Sequence, residues 1–150
     1  MMDIREYVDN QPPKVRAFFA MVDATAHLIG LSEKYWASQG LNGARIRILV
    51  EIAKAGGTIL PSVLAGRIGV TKANISVLLV PLEQLGFIRI SEHPEDGRKR
   101  RVELTGEGEA ILLEKLPGNR DTISTGMSSL NEAETEQLWH LLSKLHRSRE

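Results

Sequence analysis

Residues 87–105 read FIRISEHPEDGRKRRVELT, and the fold is decided here. Two short apolar runs, Phe87 to Ile90 and Val102 to Leu104, flank a polar centre that holds Pro94, Gly97 and the basic block Arg98, Lys99, Arg100 and Arg101. That is the pattern of a β-hairpin with a solvated, cationic tip. Four adjacent cations have two readings. They keep an edge strand from pairing with other sheets, or they meet phosphate and a minor groove.

What precedes the hairpin favours the second reading. An amphipathic run, Lys72 to Leu85, closes on Gly86, and a shorter apolar segment before it ends in Gly69, Val70 and Thr71. Helix, tight turn, helix, basic hairpin is the order of a winged helix-turn-helix. Thr71 is placed to cap the second helix, and Ile75, Leu78, Leu79 and Leu82 fall at i, i+3, i+4 and i+7, so that face packs inward. The opposite face is Lys72, Ala73, Ser76, Val77 and Val80, with Asn74 at its margin. Asn bonds an adenine edge bidentately, Ser and Lys hold phosphate or bases, and Ala or Val touches a thymine methyl, so the set is chemically adequate for a major groove. Pro81 costs about 3 kcal/mol inside a helix unless the helix bends, and a kink is expected near Val77 to Pro81.

Working outward, residues from about 13 to 37 read as one long helix, with Val15, Phe19, Val22, Ala26 and Ile29 at helical spacing and an interruption or bend near Gly30. Phe18, Met21 and Leu28 widen its apolar face, which suits either a second subunit or an intramolecular core. Asn42 caps the next helix, whose buried side is Ile46, Leu49, Val50, Ile52 and Ala53, and Gly56-Gly57 ends it. Thr58 to Leu60 is a candidate third strand for the hairpin, since a lone hairpin is marginally stable. Pro61 opens a helix to Ile68 with Val63, Leu64 and Ile68 toward the core. Thr105 caps a helix carrying Ala110, Ile111, Leu113 and Leu116 until Pro117-Gly118 breaks it, and another helical stretch spans Arg120 to Met127. Asn131 and Glu134 form a capping box before a helix with Leu138, Leu141, Leu142 and Leu145 on one face and Trp139 beside them. Apolar helices at both ends suggest a dimer clasp, though the same spacing also suits a private core.

Composition narrows the function. The chain has 150 residues with 42% hydrophobic content and zero cysteines, which excludes disulfides, thiol catalysis and cysteine-based zinc sites. Net charge is 0, yet residues 41–105 hold 10 Lys+Arg against 6 Asp+Glu, a surplus of +4 matched by −4 at the two ends. Positive charge gathers in the middle, as contact with nucleic acid requires. No apolar run approaches about 18 residues and the N-terminus carries no leader pattern, so the expectation is a soluble, cytoplasmic protein without a membrane partner. His27, His93, His140 and His146 are scattered without metal-ligand spacing, and no nucleotide or nucleophile motif is present. Neither an enzyme, a cofactor nor a metal is expected.

The pattern from Leu41 to Gly108 resembles the MarR (multiple antibiotic resistance regulator) family of bacterial transcription factors. Leu41-Asn42 and Ile48-Leu49 stand where that family begins its second helix. Leu64-Ala65, Ile68-Gly69-Val70-Thr71 and Leu82-Glu83-Gln84-Leu85-Gly86-Phe87-Ile88 match its helix-turn-helix and the entry to its wing. Most specific are Pro94, then Asp96-Gly97-Arg98, then Val102, Leu104, Thr105 and Gly108, which reproduce its proline, D-x-R and V-x-L-T-x-x-G positions. Departures fall at Arg45, Val77, Pro81 and His93.

The resemblance implies a mainly α protein with a small β-hairpin wing (α+β). Residues 1–40 would form an N-terminal dimerisation helix, 41–105 the winged helix-turn-helix DNA-binding domain, and 106–150 the C-terminal dimerisation helices. It implies a homodimer on double-stranded DNA, with the helix from Thr71 in the major groove, Arg98 in the minor groove and Asp96 orienting basic side chains. The candidate DNA contacts are Lys72, Ala73, Asn74, Ser76, Val77, Asp96, Arg98, Lys99, Arg100 and Arg101. The family also implies a small aromatic effector, for which Met21, His27, Tyr35, Trp36 and Arg45 are candidate contacts. The rival reading is a winged protein-interaction module whose recognition helix no longer reads bases.

Overall fold

The structure, a computed structural model, describes residues 1–92, 95, 97 and 100–147. Its elements are α1 (Ile4–Asp9), α2 (Pro13–Ser38), α3 (Gly43–Lys54), β1 (Thr58–Ile59), α4 (Pro61–Ile68), α5 (Lys72–Gln84), β2 (Ile88–Glu92), β3 (Arg100–Leu104), α6 (Gly106–Gly126) and α7 (Glu132–Arg147). Helix-rich with one small antiparallel sheet, this is the winged helix-turn-helix class that the sequence predicts. By its contacts the chain divides into two compact units, Ser32–Arg120 and a second assembled from Met1–Leu31 and Asp121–Glu150.

Within Ser32–Arg120, local chemistry sets each boundary. The Asn42 side chain accepts from the backbone N–H groups of Ala44 and Arg45 (2.9 and 3.3 Å), which starts α3. Pro61 occupies the first turn of α4, where its missing N–H costs nothing. Gly69 ends α4 at φ 85°, a left-handed conformation, and its N–H donates to the Ala65 carbonyl (2.9 Å). The sheet order is β1-β3-β2, all antiparallel, with Ile59 and Ile90 opposite Val102 and Ile88 opposite Leu104. The third strand expected at Thr58 is therefore present. Every buried apolar side chain among the described residues lies in this unit, in one cluster that includes Leu49, Ile52, Leu64, Ile75, Leu79, Leu82 and Val102.

Several details correct the sequence reading. Val63 and Ala53 are exposed, and Ala65 and Ile48 take the buried places on α4 and α3. On α6 the buried apolar side chain is that of Leu112, while Leu113 is exposed. Helix α2 runs through Gly30 without interruption, and α6 runs through Pro117-Gly118 to Gly126. Pro117 and Leu113, the residue whose carbonyl the proline cannot donate to, are both exposed, and the helix continues through them. Gly118 answers a close approach instead, since a Cβ there would collide with the Tyr35 ring. Helix α5, by contrast, continues past Pro81 to Gln84 as the sequence predicts, with Val77 exposed.

The second unit has a different character. Asn131 and Glu134 form the expected capping box, with Glu134 N–H donating to Asn131 Oδ1 (2.8 Å) and Asn131 N–H to Glu134 Oε1 (3.0 Å). Helix α1, which the sequence reading lacked, starts at Asp3, whose side chain accepts from Arg5 N–H (3.1 Å). None of the described residues in this unit is buried. Phe18, Phe19 and Val22 on α2, and Trp139, Leu141 and Leu145 on α7, stand exposed. By length and composition alone α2 could cross a membrane, although it holds no uninterrupted apolar run near that length. Lys14, Arg16, Asp23 and Lys34 interrupt it, so its apolar residues form a stripe rather than a sleeve.

The T-x-x-G pair after the wing has a direct physical account. The Thr105 hydroxyl donates to the Gly86 carbonyl (2.6 Å) and accepts from Gly108 N–H (3.1 Å), while Thr105 N–H donates to the Phe87 carbonyl (3.0 Å). A Cβ on Gly108 would lie well inside contact distance of that Phe87 carbonyl. Gly108→Ala is therefore expected to destabilise the fold by about 1–3 kcal/mol, the usual cost of overpacking. A urea midpoint equal to wild type would show that α6 does not pass this close.

Candidate nucleic-acid interface

Helices α4 and α5 meet at 101° across the Gly69–Thr71 turn, within the range of about 90–120° for a helix-turn-helix. Ile75, Leu79 and Leu82 face the core, which leaves Lys72, Ala73, Asn74, Ser76 and Val77 exposed on the other side of α5. The structure thus brings these five candidates together. The Thr71 side chain accepts from Asn74 N–H (3.1 Å), and the Ser76 hydroxyl donates to the Lys72 carbonyl (3.3 Å). No acidic residue occupies the first turn of α5, so its free N–H groups and Lys72 present positive potential at one end.

The wing sorts its charges by strand alternation. Ile88, Ile90, Val102 and Leu104 share the inner face, and Arg89, Ser91, Arg101 and Glu103 share the outer one. Register sets Arg89 opposite Glu103 and Ser91 opposite Arg101. Arg89 Nη2 lies 2.5 Å from Glu103 Oε2, Arg101 Nη2 lies 2.6 Å from Glu103 Oε1, and Arg101 Nε donates to Ser91 Oγ (3.2 Å). The Arg89 hydrogen bond, aided by the fields of Arg101 and Arg89 and opposed by desolvation, holds the Glu103 carboxyl below its ordinary 4.5. Arg101 is thus engaged on the sheet, whereas Arg100, opposite Glu92, is exposed. Asp96, Arg98 and Lys99, with His93 and Pro94, lie outside the described residues. Arg89 and Glu103 were missed as members of this surface. Their period-two spacing with Ser91 and Arg101 was the available signal.

Candidates for an effector site are used by the fold in unequal degree. Trp36 is 2% exposed within the core, and Tyr35 stacks edge-on against it with ring centroids 4.9 Å apart. The Tyr35 hydroxyl donates to the Lys115 carbonyl (2.5 Å). Arg45 and His27 are exposed and Met21 is half-buried. A cavity of about 340 Å³ in the Ser32–Arg120 unit is lined by Ala53, Gly57, Leu104, Glu109, Leu112 and Leu116 among others, and by none of the five candidates. Among the described residues no group of three or more His, Asp or Glu is arranged to hold a metal ion.

A family model described as MarR family matches residues 39–99. Over 140 residues the chain is 34% identical to the HTH-type transcriptional repressor YetL of Bacillus subtilis, an alignment covering 93% of this chain and 84% of YetL. The chain belongs to the MarR family. Solved structures share its fold. A mutant MarR from Escherichia coli complexed with operator DNA has a TM-score of 0.79 at 21% identity, over 96% of this chain and 99% of that one. BpsR of Bordetella bronchiseptica, whose DNA binding is regulated by 6-hydroxynicotinic acid, has a TM-score of 0.77 at 20% identity, over 87% of this chain and 98% of that one. In this MarR-family chain the wing ladder sets a pH expectation. Carbon-13 NMR through an acid titration should find the Glu103 carboxyl midpoint below 4.5. With the folded value depressed, the stability it contributes is in place above the unfolded value near 4.5 and fades as pH falls through the folded one. A midpoint at or above 4.5 would remove the ion pairs from the wing.

Proposed function

We propose that this chain is a transcriptional regulator that binds double-stranded DNA as a homodimer, on a pseudo-palindromic operator with half-sites about one DNA turn apart. The observation that carries the reading is the exposed face of α5, Lys72, Ala73, Asn74, Ser76 and Val77, held at 101° to α4 by a buried inner face. That face would enter the major groove. Arg98 would enter the adjacent minor groove, where a narrow groove concentrates negative potential, with Asp96 orienting it and Lys99 and Arg100 on phosphate. Membership of a family of regulators supports the reading, as do the repressor YetL and the operator complex of MarR.

The homodimer follows from the second unit. A unit with no buried residue among those described, yet with Phe18, Phe19, Leu141 and Leu145 exposed, needs another apolar surface to cover it. A second copy supplies one by symmetry. We place the protein in the cytoplasm, where its DNA is. By analogy with BpsR, we extend the reading to release from DNA by a small aromatic effector, with Met21, His27, Tyr35, Trp36 and Arg45 as the candidate contacts. Mixing the DNA complex with a panel of phenols and aromatic acids tests that extension by the fall in anisotropy.

Fluorescence anisotropy with a duplex from the chain's own promoter region and with a random-sequence duplex tests the main reading. Lys72→Ala should weaken both complexes alike and reduce the salt slope by about one. Asn74→Ala and Arg98→Ala should each weaken the promoter complex by about 1–3 kcal/mol. The Asn74 loss should be confined to the promoter duplex, because a base contact carries sequence information that a phosphate contact lacks. An absence of salt-sensitive binding to either duplex would favour a winged protein-interaction module.

A further inference from the structure

We propose that Glu103 is a selectivity residue of the wing: it holds Arg89 and Arg101 on the outer face of the sheet, withholds these two cations from DNA phosphate and so lowers affinity for non-cognate duplex. The inference rests on the DNA-binding reading above and deepens it.

Glu103 sits in β3, the central strand, with only 16% of its side chain exposed. Both of its oxygens are taken. Oε2 accepts from Arg89 through Nη2 (2.5 Å) and Nε (3.2 Å), and Oε1 meets Arg101 Nη2 (2.6 Å). Arg101 is further fixed by Ser91 and is 32% exposed at its side chain, little for a residue of a basic wing. Arginine enters phosphate contacts through its N–H donors, and here Arg89 gives Nε and Nη2, and Arg101 gives Nη2, to one carboxylate, while the Arg89 side chain itself stays 70% exposed.

Placement gives this arrangement its effect. Arg101 is the second residue of β3, next to Arg100, and β-strands rise about 3.3 Å per residue. The ladder therefore lies within about one Debye length, roughly 8–10 Å, of the start of the basic strand end. Non-specific affinity depends on how many phosphates are neutralised, at about 0.9 in the log–log salt slope for each. One carboxylate shared by two guanidiniums lowers that number, and it leaves the base-reading face of α5 untouched. The depressed Glu103 carboxyl stays ionised at neutral pH, so the restraint is permanent. The consequence is discrimination by subtraction: random sequence loses affinity that the operator recovers through base contacts.

The test uses the full chain as wild type, Glu103→Gln and Arg101→Ala, in anisotropy titrations against a random-sequence duplex and the promoter duplex between about 0.05 and 0.3 M salt. Glu103→Gln should bind the random duplex several-fold more tightly, with a salt slope steeper by about one for each freed arginine, and the promoter-to-random affinity ratio should fall. Arg101→Ala, although the sequence counts Arg101 among the candidate DNA contacts, should leave the random-duplex slope at the wild-type value, because Glu103 and Ser91 already hold its guanidinium. A Glu103→Gln slope equal to or shallower than wild type, with wild type binding normally, overturns the inference alone. Should Glu103→Gln fail to fold, Arg101→Ala decides, because a slope smaller by about one means that Arg101 already touches phosphate. Wild type without salt-dependent binding to any duplex overturns the inference together with the reading on which it stands.

Discussion

The burial of Ile75, Leu79 and Leu82 fixes the rotation of α5 about its own axis, and the rest of the surface follows from that rotation. Each such side chain contributes about 1.5–3 kcal/mol when removed from water. Three of them outweigh the roughly 3 kcal/mol that a proline costs inside a helix, which is why α5 survives Pro81. With 3.6 residues per turn, a fixed inner face leaves no choice about the outer one. Lys72, Ala73, Ser76 and Val77 must face away from the core, and the 101° turn at Gly69 decides where they are aimed.

Features carried by residues close together in the chain were legible in the sequence. The caps at Asn42 and Thr71 and the Asn131–Glu134 box each join groups two or three positions apart, so residue type and spacing suffice. The hairpin and its third strand were legible because alternation and turn residues are local signals too. What escaped the sequence depends on tertiary contact. Pro117-Gly118 resembles a helix end, yet solvent on one side and the Tyr35 ring on the other make it part of a continuous helix. The exchange of Leu113 for Leu112 is a rotation of one residue about a helix axis, which a broad apolar face does not define.

The site shows the same division. The exposed face of α5 could be read from periodicity alone, but the basic block of the wing could not be read residue by residue. Arg100 and Arg101 are neighbours in sequence and differ in circumstance, because alternation sends Arg101 to the face that carries Glu103. A run of cations in a sequence counts charges without saying which ones the protein has already engaged. The exposed apolar stripes of α2 and α7 make a parallel point, since periodicity found them and only the structure shows them uncovered within one chain.

The central claim is that two copies of α5 and its wing are presented to one face of a duplex. Hydroxyl-radical footprinting on the promoter duplex measures this directly. The account predicts two protected half-sites related by a dyad, with centres about 10–10.5 base pairs apart or a multiple of that, flanked by minor-groove protection from the wings. A single protected patch without a symmetric partner, or none at salt concentrations where the protein is folded, would contradict it.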